Sequence, residues 1–267
     1  MIWKCRNYSL DLSTTRVMGI VNITPDSFSD GIATSRTEAA VSRARAHRNH
    51  GADILDLGAE STRPGCTPLS WQVEWARLEP VMRILSRELP TMPLSVDTYH
   101  RETAERALAN GASILNCVYS DPVPEMFELA RQTGCGVVIP VPSSPLNEAI
   151  PADLRSQTLV DPMIGFGTTR EQDLALLGGL RELACQAPVL VGVSRKRLIG
   201  MITHTTSPTD RLGGSVGAAL WCAMNGASVV RVHDVKETKQ ALEVLNLLDA
   251  QLPEQGERPW IQPTCLA

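Results

Sequence analysis

The chain has 267 residues and a formal net charge of -4, with 43% apolar and 20% charged residues. These fractions leave room for a large core and exclude a disordered or fibrous chain, and the length suits one α/β barrel domain spanning residues 1–267. No apolar run reaches the roughly 18 residues that cross a bilayer. The opening MIWKCRNYSLDLS lacks the apolar centre of a signal peptide, and no Lys/Arg block offers a nucleic-acid footprint. A cytoplasmic protein that binds neither membrane nor nucleic acid is expected.

After a short N-terminal extension (1–15), an apolar run at 17–22 ends in Asn22 and opens into ITPDSFSDG, with a helical pattern at 36–49. A second run at 54–57 contains Asp56 and leads into GAESTRPG, then a helix at 71–88. A third, 94–97, ends in Asp97 before a helix at 102–110. A fourth, 114–118, carries Asn116 and precedes a helix at 124–133. The fifth, 137–141, is followed by PSSPLNEAIPADLRSQT, where Pro142, Pro145 and Pro151 interrupt any helix. The sixth, 159–161, ends in Asp161 and is followed by a helix at 171–185. The seventh, 189–194, runs into Ser194-Arg195-Lys196, with a helix at 214–225. The eighth, 229–232, contains Arg231 and precedes His233 and Asp234, a helix at 236–248 and a C-terminal tail (252–267). Strands without polar alternation, separated by helices, specify a parallel sheet, and eight such units favour closure. The expected fold class is therefore α/β, a (β/α)8 TIM barrel with a reduced or missing helix between strands five and six. A doubly wound open sheet is the alternative. Seven cysteines lie scattered with no C-x-x-C pair, so neither a zinc site nor a disulfide is expected.

In such a barrel the working groups gather where the strands end. A carboxylate there is costly to bury without a partner, so Asp97 and Asp161 each need one; an Asp before a helix is also a common N-cap, which makes either alone ambiguous. Asn116 sits inside SILNCV, away from a helix start. Two carboxylates and an amide suit a flat heterocycle with a guanidine-like edge, such as a pterin. Arg63, Lys196, Arg231 and His233 supply a basic side that suits a diphosphate.

The segments MGIVNITPDSFSDG (18–31), DLGAESTRPG (56–65), SVDT (95–98), DPMIGFGTT (161–169), VGVSRK (191–196), RLGGS (211–215) and RVHDV (231–235) resemble, in order, the signature blocks of the dihydropteroate synthase family. The resemblance covers about 16–250, and NITPDSFSDG and GAESTRPG are its most specific parts. It implies a transferase of folate biosynthesis that joins 6-hydroxymethyl-7,8-dihydropterin diphosphate to p-aminobenzoate and expels pyrophosphate, and that sulfonamides target. It also implies that Asp97, Asn116, Asp161 and Lys196 hold the pterin, and that Asn22 helps hold Mg²⁺. Thr62, Arg63, Arg231 and His233 then face the diphosphate, while Phe28, Pro64, Ser194 and Arg195 receive p-aminobenzoate. A homodimer is expected.

This chain departs from the family at Cys117 (an aspartate), at Ile139-Pro140-Val141 (Met-His-Met), at Met163 (a glycine) and at Thr168 (a lysine). A working synthase and a non-catalytic pterin-binding paralogue are both compatible with that pattern. A folate-dependent methyltransferase has no use for the TPDSF and STRPG loops.

Overall fold

The computed structural model describes residues 1–24, 33–60, 67–117 and 123–251. An antiparallel hairpin of β1 (Ile2–Cys5) and β2 (Tyr8–Asp11) comes first. Eight parallel strands then close into a barrel: β3 (Arg16–Asn22), β4 (Ile54–Gly58), β5 (Leu94–Asp97), β6 (Ile114–Asn116), β7 (Gly136–Pro140), β8 (Thr158–Asp161), β9 (Val189–Val191) and β10 (Ala227–Val232). Strands pair in chain order, and β10 on β3 closes the ring with Val230 opposite Val17. The helices are α1 (Ala33–Asn49), α2 (Trp71–Glu88), α3 (Arg101–Ala109), α4 (Val123–Thr133), α5 (Leu146–Ala149), α6 (Arg170–Gly178), α7 (Leu180–Ala184), α8 (Arg197–Thr203), α9 (Leu212–Met224) and α10 (Val235–Gln251). The barrel expectation holds, and the open sheet is set aside.

Alternation along each strand divides the core in two. Val17, Val21, Leu55, Leu57, Leu115 and Cys117 pack outward against the helices. Met18, Ile54, Ile114, Val138, Leu159, Leu190 and Val229 point inward and fill the barrel floor. One step further along the same inward rows, the residues become Asp56, Asn116, Asp161 and Arg231. Strand register alone thus aims the polar groups at the open end. Cys117, on the opposite face from Asn116, is buried in the outer layer, so loss of the family aspartate does not enter the inward row.

The hairpin plugs the floor of the barrel. Trp3 and Cys5 join the inward cluster, and the Trp3 indole donates to Gln157 O at 2.7 Å. The Arg6 guanidinium donates to Leu108 O and Ala112 O at 2.7 and 2.9 Å. Gly136 makes room for this plug, because a Cβ there would lie 2.6 Å from Cys5 Sγ. Trp3→Ala should lower unfolding stability by about 3–5 kcal/mol, the usual cost of deleting a fully buried aromatic, read as a lower urea midpoint with unchanged slope.

The segment between β7 and β8 contains only the four-residue α5 and a 3₁₀ helix at Ala152–Gln157, as the prolines require. The wall is thin there, and Phe127, Ile139, Pro140, Pro142 and Pro151 line a groove of about 400 Å³. A cavity of about 600 Å³, lined mostly by apolar groups such as Ile2, Trp3, Leu146, Ile150 and Pro188, lies at the floor end, away from the polar mouth. The helix expected at 171–185 is broken at Gly179, and α8 was not anticipated. Cys5, Cys117, Cys135 and Cys222 are free and buried. Cys185, exposed after α7, is disulfide-bonded, which corrects the expectation of no disulfide. No helix among the described residues is long and apolar enough to cross a membrane.

Candidate active site

Four strands converge on one buried charge network. Arg231, from β10, donates through Nε to Asp56 Oδ2 at 2.6 Å and through Nη2 to Asp97 Oδ2 at 2.7 Å. Asp56 has no exposed surface, and it also accepts Ser95 Oγ at 2.6 Å and Asn116 Nδ2 at 3.3 Å. A carboxylate this deep survives because each oxygen is satisfied, one by a hydroxyl and the other by an amide and a guanidinium. Asp56 was read in sequence as the residue before a loop. Its place as the hub of the network is visible only once Ser95, Asn116 and Arg231 are folded around it.

Lys196 approaches from the β9 side. Its ammonium donates to Ile164 O and lies 4.0 Å from the centre of the Phe166 ring. Burial drives its pKa down to about 8, against the upward pull of Asp161. Burial likewise raises Asp161, while Lys196 and the Met163 N–H, which donates to Asp161 Oδ1 at 2.7 Å, lower it. Asp97 is pushed up to about 7 by burial and by Asp56, Glu74 and Asp161, with Arg231 pulling the other way.

The remaining side chains refine the expected roles. Ser194 Oγ accepts the His233 N–H at 3.2 Å and lies equally far from His233 Nδ1. Burial, with Arg195 and Arg231 nearby, drives the His233 pKa down to about 3, so this imidazole is neutral and brings no charge to an anion. Arg195 has φ of 59° and grips Asp234 with both Nε and Nη2, while its backbone N–H donates to Ser215 Oγ at 2.9 Å. Asn22 is half-buried at the mouth. A Cβ placed on Gly58 would be in ordinary contact with Asp97 Cβ at 3.6 Å, Asp97 Oδ2 at 3.8 Å and Asn22 Oδ1 at 3.9 Å, so Asn22 and Asp97 present their oxygens to the same spot. Phe28, Thr62, Arg63 and Pro64 lie outside the described residues.

Two departures acquire a physical account. Met163 has φ of 60°, the left-handed region where glycine is at ease, so the substitution carries backbone strain of about 1–2 kcal/mol. Thr168 builds the loop instead of offering charge. Its hydroxyl donates to Asp173 Oδ1 at 2.5 Å and accepts the Gly165 N–H at 3.0 Å, and Asp173 itself caps Gly165 N–H at 2.8 Å. Gly165, at φ of 76°, lets the Lys196 stem pass: a Cβ there would lie 2.8 Å from Lys196 Cδ.

Comparison with known proteins agrees with this arrangement. The sequence pattern of the family described as "Pterin binding enzyme" matches residues 18–149 and 143–233. Dihydropteroate synthase of Escherichia coli K12 is 36% identical, with 89% of this chain and 93% of that protein aligned. That of Bacillus subtilis is 34% identical, covering 91% and 90%. The Xanthomonas albilineans dihydropteroate synthase solved with 4-aminobenzoic acid superposes with a TM-score of 0.86 at 38% identity, over 94% of this chain and 99% of that one. The same organism's enzyme in complex with 7,8-dihydropteroate gives 0.81 at 34% identity, over 95% and 100%. With its inward row of Asp56, Asn116, Asp161 and Arg231 on a closed parallel barrel, the chain belongs to the pterin-binding enzyme family, among the dihydropteroate synthases.

Proposed function

We propose that the chain catalyses the condensation of 6-hydroxymethyl-7,8-dihydropterin diphosphate with p-aminobenzoate, giving 7,8-dihydropteroate and pyrophosphate, as a transferase of folate synthesis. The observation that carries this is the half-buried Asp97 beside Asn116 and Asp161, with Lys196 and Arg231 reaching the same opening. Asp97 and Asp161 accept N–H groups of the pterin edge, and Asn116 completes its recognition with a donor and an acceptor. Lys196 enters the opening from the β9 side as one of the cations that meet the leaving anion. Arg231 has Nε and Nη2 engaged, which leaves Nη1 to meet an incoming phosphate oxygen. Thr62, Arg63 and a neutral His233 are assigned to the diphosphate, and Phe28, Pro64, Ser194 and Arg195 to p-aminobenzoate, on the family resemblance.

In the reaction, the methylene C–O bond breaks and its electron pair leaves with pyrophosphate. The amine forms the new C–N bond and gives up a proton. The carboxylates Asp97 and Asp161 stabilise the positive charge that spreads into the ring, and the cations stabilise the leaving anion, so catalysis is electrostatic and needs no protein nucleophile. Mg²⁺ neutralises the diphosphate when bound. The Asn22 amide oxygen at the barrel mouth suits such an ion as a donor, since Mg²⁺ takes few protein oxygens and fills its shell with water and phosphate. Asn22 would hold it. Pyrophosphate release from the two substrates and Mg²⁺ tests this reading; pterin binding without release would favour the non-catalytic paralogue.

The pH dependence has a definite sign. Asp97 must be ionised to accept the pterin N–H groups, and burial places its pKa near about 7; Lys196 must stay protonated, and its pKa is about 8. We expect kcat/KM to form a narrow bell, falling below about 7 and above about 8. A flat profile to pH 10 would remove Lys196 from the cationic role.

The homodimer and the cytoplasmic location remain part of this proposal. Trp221 on α9 and Val244, Leu247 and Leu248 on α10 form an exposed apolar face, with Trp221 51% and Leu247 64% exposed. Such a face on neighbouring helices suits an isologous contact. Trp221→Glu should convert the dimer to monomer in sedimentation velocity, and an unchanged sedimentation coefficient would place the contact elsewhere.

A further inference from the structure

We propose that Glu74 is a positioning residue for pterin recognition, acting on Asp97 through the turn that follows it. Glu74 lies in the first turn of α2 and is 1% exposed. Its Oε2 accepts the Thr98 hydroxyl at 2.8 Å and sits 3.0 Å from His100 Nδ1, so one oxygen grips the first and third residues beyond Asp97. The turn is tied from other sides as well. Thr98 Oγ1 accepts the His100 N–H at 3.1 Å, Thr98 N–H donates to Asn116 O at 3.0 Å, and the Tyr99 hydroxyl donates to Glu60 Oε2 at 3.1 Å. Glu60 in turn accepts the Leu69 N–H at 2.9 Å.

Packing alone does not explain a carboxylate at this place. The other Glu74 oxygen is buried with no hydrogen-bond partner among the described residues, a state that costs free energy. The rest of the buried face of α2 is apolar, with Leu78, Val81, Met82 and Leu85. An apolar residue at 74 would dock the helix without that cost, but it could not hold Thr98 and His100 together. What the carboxylate adds is a fixed backbone for the residue after Asp97. Asp97 must meet a planar donor edge within tenths of an ångström, and such tolerance depends on supporting hydrogen bonds. The barrel strand alone does not supply it, because Asp97 is the last residue of β5 and the chain leaves the sheet immediately beyond it.

This inference rests on the pterin reading above, and its test separates the two. Calorimetry would measure binding of 6-hydroxymethyl-7,8-dihydropterin diphosphate to the wild-type protein and to Glu74→Ala, Glu74→Gln and Thr98→Val, with steady-state KM for both substrates. We expect Kd for the pterin to rise about tenfold in Thr98→Val, which loses one hydrogen bond to a charged group, and at least as much in Glu74→Ala, which loses the His100 contact as well. KM for p-aminobenzoate should stay unchanged. Glu74→Gln should recover most of the affinity, because its amide oxygen still accepts the Thr98 hydroxyl. Wild-type affinity in folded Glu74→Ala and Thr98→Val, or an equal rise in both KM values, would overturn the assignment while leaving the pterin site standing. Should Glu74→Ala fail to fold, Thr98→Val decides the matter alone. No pterin binding by the wild-type protein would sink the functional reading and this inference with it.

Discussion

Lys196→Met should lower kcat/KM by about 10² to 10³-fold while the protein stays folded. Methionine keeps an unbranched stem of similar length over Gly165 and removes the charge that sits beside Asp161 and the Phe166 ring. The folded state loses a carbonyl contact, an aromatic face and the charge that lowers the Asp161 pKa, which a protonated Asp161 can absorb, whereas the loss to the reaction is a cation at a developing negative charge. Lys196→Arg should not restore the rate, because the planar guanidinium beyond Cδ cannot reproduce the compact ammonium's place against the Ile164 carbonyl and the Phe166 ring. Single-turnover pyrophosphate release, with circular dichroism as a folding control, would read this out. Wild-type release by folded Lys196→Met would remove the lysine from the mechanism.

What the sequence revealed and what it concealed follow from the range of the forces involved. The eight barrel strands were readable because parallel strands, buried on both faces, stand out as apolar runs such as Val189–Val191 between amphipathic helices. The proline-broken segment before β8 was readable for the same local reason. The β1–β2 hairpin was not, because only Trp3 and Cys5 of its first strand turn inward, and two buried residues in a four-residue strand leave no period to detect. The α6–α7 break was signalled by Gly178-Gly179 and overridden by the helical pattern around it. In the site, Asp97, Asn116 and Asp161 were legible as polar ends of apolar runs, whereas the pairing of Arg231 with Asp56 spans 175 residues. No local signal announces a partner at that distance. The neutral state of His233 is equally a tertiary property, set by burial and two neighbouring arginines.

That long-range pairing changes what the arginine variant should do. Arg231→Ala should cripple turnover and also cost about 3–5 kcal/mol of stability, because it orphans Asp56 and Asp97 inside the barrel. The effect belongs to the carboxylates left behind, so Arg231→Ala combined with Asp56→Asn should regain part of the lost urea midpoint without regaining activity. The share due to Asp97 has a pH signature. Its carboxyl is held near about 7 in the folded protein, above its unfolded value, with Arg231 pulling it down. A raised carboxyl contributes stability at low pH that is lost as pH rises through the folded pKa. Removing Arg231 raises that pKa further, so this part of the deficit is small below about 7, where Asp97 is protonated with or without the arginine, and grows above it. The gap between the urea midpoints of the two proteins should therefore be narrower at pH 5 to 6 than at pH 8 to 9, the part due to Asp56 persisting throughout. A deficit that widened on acidification would mean that Arg231 does not hold Asp97 in its charged form, and the electrostatic account of the barrel mouth would have to be rebuilt around Asp56 alone.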